Sequence, residues 1–238
     1  MIINHKYKFI FLKTRKTAGT SIEIALSKFC DTHDVITPIS QDDEVTRQEM
    51  GFPGPRNYCI ALKYYSKRDW FKAIRKAERH KFYNHATAKY IQERIPAQIW
   101  NSYFKFTFER SPFDKAISRY YWSTVDPRPE ISDYLNSVKT ELLSNWSIYT
   151  INDQIAVDFV GRYETLDDDL AKIKDKLGLS GELNLPSAKS KSRKNREHYS
   201  RVLNSEARTR IEIVCAKEIA ALGYRWSELV GLEKSRGA

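Results

Sequence analysis

Long apolar runs are missing from this sequence. The longest are about the size of Phe9 to Leu12, far short of the ~20 residues that span a bilayer. No transmembrane segment is expected. No secretory leader is expected either, because Lys13, Arg15 and Lys16 interrupt any candidate and no small-residue cleavage site follows. The expected location is cytoplasmic. Cysteine is scarce, with three (Cys30, Cys59, Cys215) far apart and no C-x-x-C pair, which excludes an encoded disulfide framework or zinc site and leaves the three as buried, reduced packing residues. No metal site is expected. Internal repeats and low-complexity tracts are absent as well.

What is present is a chain of 238 residues with 41% hydrophobic content and five tryptophans, enough for one sizeable core and one domain, residues 1–238. Forty Lys and Arg stand against thirty Asp and Glu, a net charge of +10, so an anionic partner is implied. Nucleic acid, a phosphorylated small molecule and an acidic polymer all satisfy that charge. Basic residues gather at Lys63 to Lys81 and in the Ser-rich stretch from Lys189 to Arg196. The first has helix spacing and reads equally as a solvated helix face. The second has no apolar periodicity, which suits ligand contact.

Runs rich in aromatic and β-branched residues at Lys8 to Leu12, Tyr103 to Phe108 and Ile155 to Tyr163 read as strands, each followed by a polar turn and a helical pattern. Repeated strand, turn and helix argue for an α/β fold with a central parallel sheet flanked by helices. The spacing predicts helices over Thr20–Phe29, Asp69–Arg79, Ala86–Arg94, Pro112–Trp122, Ile131–Leu143, Asp167–Leu177 and Ser205–Leu222. Pro38, Pro53 and Pro55 punctuate an irregular stretch expected to shape the substrate site.

The first turn, "KTRKTAGTS" from Lys13 to Ser21, carries the chemistry. Thr20 and Glu23 fit a capping box, which starts the helix at Thr20. A helix N-terminus straight after a parallel strand presents backbone N–H groups and the positive end of its dipole, a place for phosphate. Gly19 admits close approach, the Thr17, Thr20 and Ser21 hydroxyls can donate, and Arg15 and Lys16 add charge. The ATP and GTP loop, G-x-x-x-x-G-K-[ST], is not matched: Lys16 precedes Gly19 and no upstream glycine exists. A second motif, "FTFERSPFDKAISRYYW", places Arg110 at a strand end, Pro112 in a helical first turn and Ser118 two turns in. Arginine fork and serine hydroxyl can converge on one phosphate, or Arg110 can simply brace Glu109 or Asp114.

The first motif resembles the 5′-phosphosulfate loop of sulfotransferases that use 3′-phosphoadenosine-5′-phosphosulfate (PAPS), with Lys13 and Arg15 where His and Pro are common. The second is similar to the 3′-phosphate motif of the same carbohydrate-type and bacterial enzymes. The resemblance extends to "DFVGRYETLDDDLAKIKDKLGL" and the closing "NSEARTRIEIVCAKEIAALGYRW". It implies the P-loop NTPase-like sulfotransferase fold, PAPS as donor, its bisphosphate PAP as product and no metal. A hydroxyl-bearing acceptor, a carbohydrate or glycolipid, follows from the same likeness. The basic stretch sits where the family covers the nucleotide, which makes Lys189, Lys191 and Arg193 candidate phosphate contacts. Lys16 is the residue implied to stabilise the leaving phosphate.

The acceptor hydroxyl needs a base. Of five histidines, His85 opens "HATAKYIQERIP" between the two motifs and resembles the histidine of the bacterial members; the alternatives are a structural role at the helix entry, or a carboxylate such as Glu109. Tyr64, Tyr65, Trp70 and Tyr83 can stack on sugar rings or serve the core. Two other classes remain open: a nucleotide kinase or NTPase, opposed by the missing post-glycine lysine, and a nucleic-acid binder. The second lacks a helix-turn-helix, RNA-recognition or zinc-finger signature, and no nucleic acid is expected as partner.

Overall fold

Strand order in the main sheet is β3-β1-β2-β4-β7. The strands are β1 (Ile2–Asn4), β2 (Phe9–Phe11), β3 (Val35–Ile36), β4 (Phe104–Glu109) and β7 (Phe159–Arg162), with β5 (Thr150–Ile151) and β6 (Gln154–Ile155) forming a separate two-stranded ribbon. β2, β4 and β7 run parallel, Phe9 opposite Phe104 and Phe106 opposite Phe159, while β1 is antiparallel to β2 and β3. This computed structural model describes residues 1–186 and 197–227. It has the expected α/β class: a mostly parallel sheet flanked by helices.

Contacts gather into two compact units, one of residues 1–109 with 147–186, the other of 110–146 with 197–227. The first holds the sheet. Alternation along β4 sends Phe104, Phe106 and Phe108 to one face, where they join Phe9, Phe11, Ile22, Leu26, Leu170 and Ile173 in a single cluster. The helices Gly19–Ser27 and Leu166–Leu177 therefore cover that face. Gly161 on β7 makes the packing possible: a Cβ there would stand 2.5 Å from the Phe108 ring.

Among its described residues the second unit is helical. Pro112–Ser123, Ile131–Ser137, Thr140–Leu143, Tyr199–Val202, Ser205–Val214 and Ala216–Leu222 surround Phe113, Ile117, Leu135, Tyr199, Leu203, Ile211 and Cys215. Two long expected helices are broken here. Val138 turns extended at ψ 140° and Cys215 leaves the helical region at φ −104°, ψ 20°, with no Gly or Pro to announce either break. Gly223 ends the last helix in the left-handed conformation, as its residue type predicts.

Three further expectations need correction. Ile155–Tyr163 is not one strand, since residues 154–155 belong to the ribbon and only Phe159–Arg162 joins the sheet. The stretch punctuated by prolines contains a helix, Gln41–Glu49, with acidic residues in its first turn. Cys30 and Cys215 are buried thiols, but Cys59 is exposed. Burial pushes the Cys30 thiol up to about 12, which keeps it protonated.

Candidate active site

The chain leaves β2 tied to β4. Leu12 N–H donates to the Phe106 carbonyl at 2.9 Å, Thr107 Oγ1 donates to the Leu12 carbonyl at 2.7 Å, and Thr14 Oγ1 donates to the Phe108 carbonyl. Thr14 Oγ1 also lies 2.8 Å from Thr17 Oγ1. Thr17 is wholly buried, so its hydroxyl serves the loop's own scaffold.

From there the backbone twists twice into the left-handed region, at Lys16 (φ 62°) and Ala18 (φ 59°), although neither is glycine. Each such residue stores roughly 1–3 kcal/mol of strain, the kind that clusters at ligand sites. The following helix begins at Gly19, one residue earlier than the spacing predicts, and Ala18 at its N-cap gives it no side-chain cap. Thr20 and Glu23 form no capping box. Gly19 is needed for internal closeness, since a Cβ would meet Lys13 Cγ at 2.9 Å and the Thr14 carbonyl at 3.1 Å. Ser21 is buried in the first turn, while Arg15, Lys16 and Thr20 are partly exposed around it.

Glu23 instead turns into the protein, fully buried, with Oε2 2.9 Å from Lys13 Nζ and Oε1 2.9 Å from the Met1 amino group. Thr37 Oγ1 donates to Oε1 at 3.0 Å and Arg47 lies 3.8 Å away. Burial pushes the Glu23 carboxyl upward, and the Met1 amine and Lys13 outweigh it, holding the pKa down to about 2. Lys13 is thus committed to Glu23.

His85 meets this loop directly. Its Nδ1 lies 3.0 Å from the Lys13 carbonyl, and the neighbouring Asn84 Oδ1 accepts from Lys13 Nζ at 3.3 Å. A carbonyl only accepts, so Nδ1 carries the proton and Nε2 keeps its lone pair. Burial lowers the His85 pKa to about 3; the Lys13 hydrogen bond opposes that and the charges of Lys13 and Arg15 add to it. The imidazole is neutral at pH 7. His85 also sits at φ 62°, a third left-handed residue at the same place.

The other histidines are occupied elsewhere or exposed. His5 Nδ1 is 2.8 Å from the Tyr103 hydroxyl, His80 Nε2 is 3.0 Å from the Asp69 carbonyl, and His198 caps the helix Tyr199–Val202. His33 is exposed. Glu109 is fully buried at the end of β4. Tyr83 and Trp70 are 46% and 44% exposed, so neither is a core residue.

In the second unit, Arg110 opens the segment before Pro112–Ser123, its guanidinium 4.0 Å from Asp114 Oδ1. Asp114 and Ser118 are four apart on that helix and share a face, and Ser118 is partly exposed. Lys115 is committed: it is 2% exposed, 3.5 Å from the buried Glu218, whose Oε1 also accepts from Ser144 Oγ and the Asn145 N–H. Lys189, Lys191 and Arg193 lie outside the described residues.

The sequence places Lys13 in the motif and Glu23 in a capping box but does not show that the two pair, and it gives no sign of Asn84 or Arg47 as their neighbours. One signal was available, a glutamate set between Ile22 and Ile24 in a helix whose other residues are apolar or small.

The family model described as the sulfotransferase family matches residues 1–224. The chain belongs to the sulfotransferase family. It is also 35% identical, over 102 residues, to an uncharacterized protein of Archaeoglobus fulgidus, an overlap that spans 40% of this chain and 84% of the relative. No solved structure matches the chain. Among the described residues no helix is long and apolar enough to cross a membrane.

Proposed function

We propose that this sulfotransferase takes its sulfuryl group from PAPS, acts in the cytoplasm and delivers the group to a carbohydrate or glycolipid hydroxyl. The observation that carries the reading is the hydrogen bond from His85 to the Lys13 carbonyl. It fixes a neutral imidazole, Nε2 unprotonated, against a strained, uncapped helix entry beside Arg15 and Lys16. A base and an anion-binding turn in one place suit transfer from a phosphosulfate. The residues fit the donor's chemistry: helix N-terminus, two cations and the Thr20 and Ser21 hydroxyls for the 5′-phosphosulfate, with Arg110 and Ser118 assigned the 3′-phosphate by their motif. Lys189, Lys191 and Arg193 keep the cover role that the resemblance implies.

In the reaction the acceptor oxygen attacks sulfur, the bond from sulfur to the phosphate oxygen breaks, and the acceptor proton passes to His85 Nε2. Lys16 offsets the charge gathering on the leaving phosphate. Anionic donor beside His85 raises the imidazole pKa from its depressed value, which brings the base nearer its working range.

Thermal stabilisation by PAP, compared with AMP and magnesium-ATP, tests this. By binding only the folded chain, PAP adds about 2.7 kcal/mol of stability at a hundredfold excess over Kd and so raises the melting temperature. Lys16→Ala and Arg110→Ala each reduce that rise. Equal stabilisation by magnesium-ATP points to a kinase or NTPase instead.

A further inference from the structure

The helix Lys67–Lys76, "KRDWFKAIRK", is amphipathic in reverse. It is held to the protein by its polar side: buried Asp69 accepts from Arg94 at 2.8 Å and forms a capping box with Ser66, and Ala73 beside it is half-buried. Every other residue of the helix is exposed, including Trp70 at 44%, Phe71 at 68% and Ile74 at 77%. At 100° per residue Trp70, Ile74 and Phe71 form one stripe, with Lys67 of the first turn between Ile74 and Phe71, and Arg75, Arg68, Lys72 and Lys76 form the stripe next to it. The only acidic residue, Asp69, is turned inward and neutralised by Arg94. Leu62, 45% exposed, and Lys63 extend the same pattern in the preceding turn.

The geometry points to an anionic lipid surface as the occupant of this face. An apolar stripe of Trp, Phe and Ile bordered by four cations, with a fifth, Lys67, at its N-terminal end, is the composition of helices that lie in the membrane interface. There the apolar residues enter the acyl boundary and the Lys and Arg side chains reach the phosphates. Charge complementarity selects the anionic surface: no exposed carboxylate on the helix opposes it. Trp70 at the border between stripe and body is placed as interfacial tryptophans are. Peripheral attachment of this kind delivers the enzyme to acceptors carried by lipids. The proposal uses none of the residues assigned to catalysis, and its test reads no turnover, so it stands or falls apart from the sulfotransfer reading.

The full chain is sedimented with phosphatidylcholine vesicles, with and without about 30% phosphatidylglycerol, beside a Phe71→Ser/Ile74→Ser variant whose circular dichroism and melting are checked first. Both side chains are exposed, so folding is expected to be unchanged. The expected result is binding to the anionic vesicles only, with a partition coefficient reduced at least ~10-fold in the variant, since burial of two large side chains is lost. No binding to anionic vesicles overturns the proposal. So does binding that the double substitution leaves intact, which the overall charge of +10 explains. A dimer in light scattering that the variant converts to monomer, without vesicle binding, overturns it in favour of a second copy on this face.

Discussion

His85 shows how much one hydrogen bond decides. The Lys13 carbonyl can only accept, so the ring proton is placed at Nδ1, and burial keeps the ring neutral, with a pKa lowered to about 3. His85→Ala is expected to leave PAP stabilisation within a small margin of the parent while turnover falls by roughly 10²–10⁴-fold, the usual worth of a positioned base. Equal loss of both in calorimetry and assay returns His85 to a structural role. The pH profile carries a sign. A histidine with a depressed pKa stays competent as a base well below pH 6.5, so kcat/KM for the donor stays level through that pH and its acid limb lies lower. An acid limb centred near 6.5 contradicts the environment seen around the ring. The sequence offers His85 as the base from its place between two motifs, and the structure adds its contact with the first turn. Its left-handed backbone was not legible, because no glycine marks it.

At the scale of elements, the helix Gly19–Ser27 carries a charge that its spacing disguised. Thr20 and Glu23 have the separation of a capping box, yet the helix starts at Gly19 and the carboxylate faces inward to Lys13, the Met1 amine and Arg47. Spacing along a helix is visible in sequence; the partner that claims a side chain from another element is not. Glu23→Gln leaves Lys13 and Arg47 without a counter-charge in a dry site, while the Met1 amine, its pKa already lowered to about 6 by burial, goes neutral; the expected cost is about 3–5 kcal/mol of stability, read by urea unfolding at pH 7. Lys13→Met in the same background recovers part of the loss if the two act as a pair. Two of the three parallel strands were legible from their aromatic and β-branched runs, and the third was merged with the ribbon residues before it. β1 and β3, three and two residues long, sit in no apolar run as long as the one around β2. The breaks at Val138 and Cys215 fall inside continuous apolar spacing, and only tertiary packing sets them.

Across the whole molecule, forty basic residues against thirty acidic ones act as a field on any polyanionic ligand. Raising salt from about 50 to 200 mM shortens the Debye length from roughly 14 to 7 Å, and the thermal shift from PAP is expected to shrink with it. A shift indifferent to salt leaves the donor held by hydrogen bonds alone. The charge total was legible at once, and its division between a site and an outward helix was not, because a basic helical run looks the same whichever side faces the protein.

The ties between the turn after β2 and the end of β4 set an order of events during synthesis. Thr14 reaches Phe108 across 94 positions, and Thr107 reaches Leu12 across 95. A nascent chain that has released only its first helix therefore has the motif in its sequence and nothing to hang it on. The turn acquires its shape when β4 emerges and closes that long loop, a late and entropically costly contact. The shape of this turn is then a report that the first 109 residues have found their register.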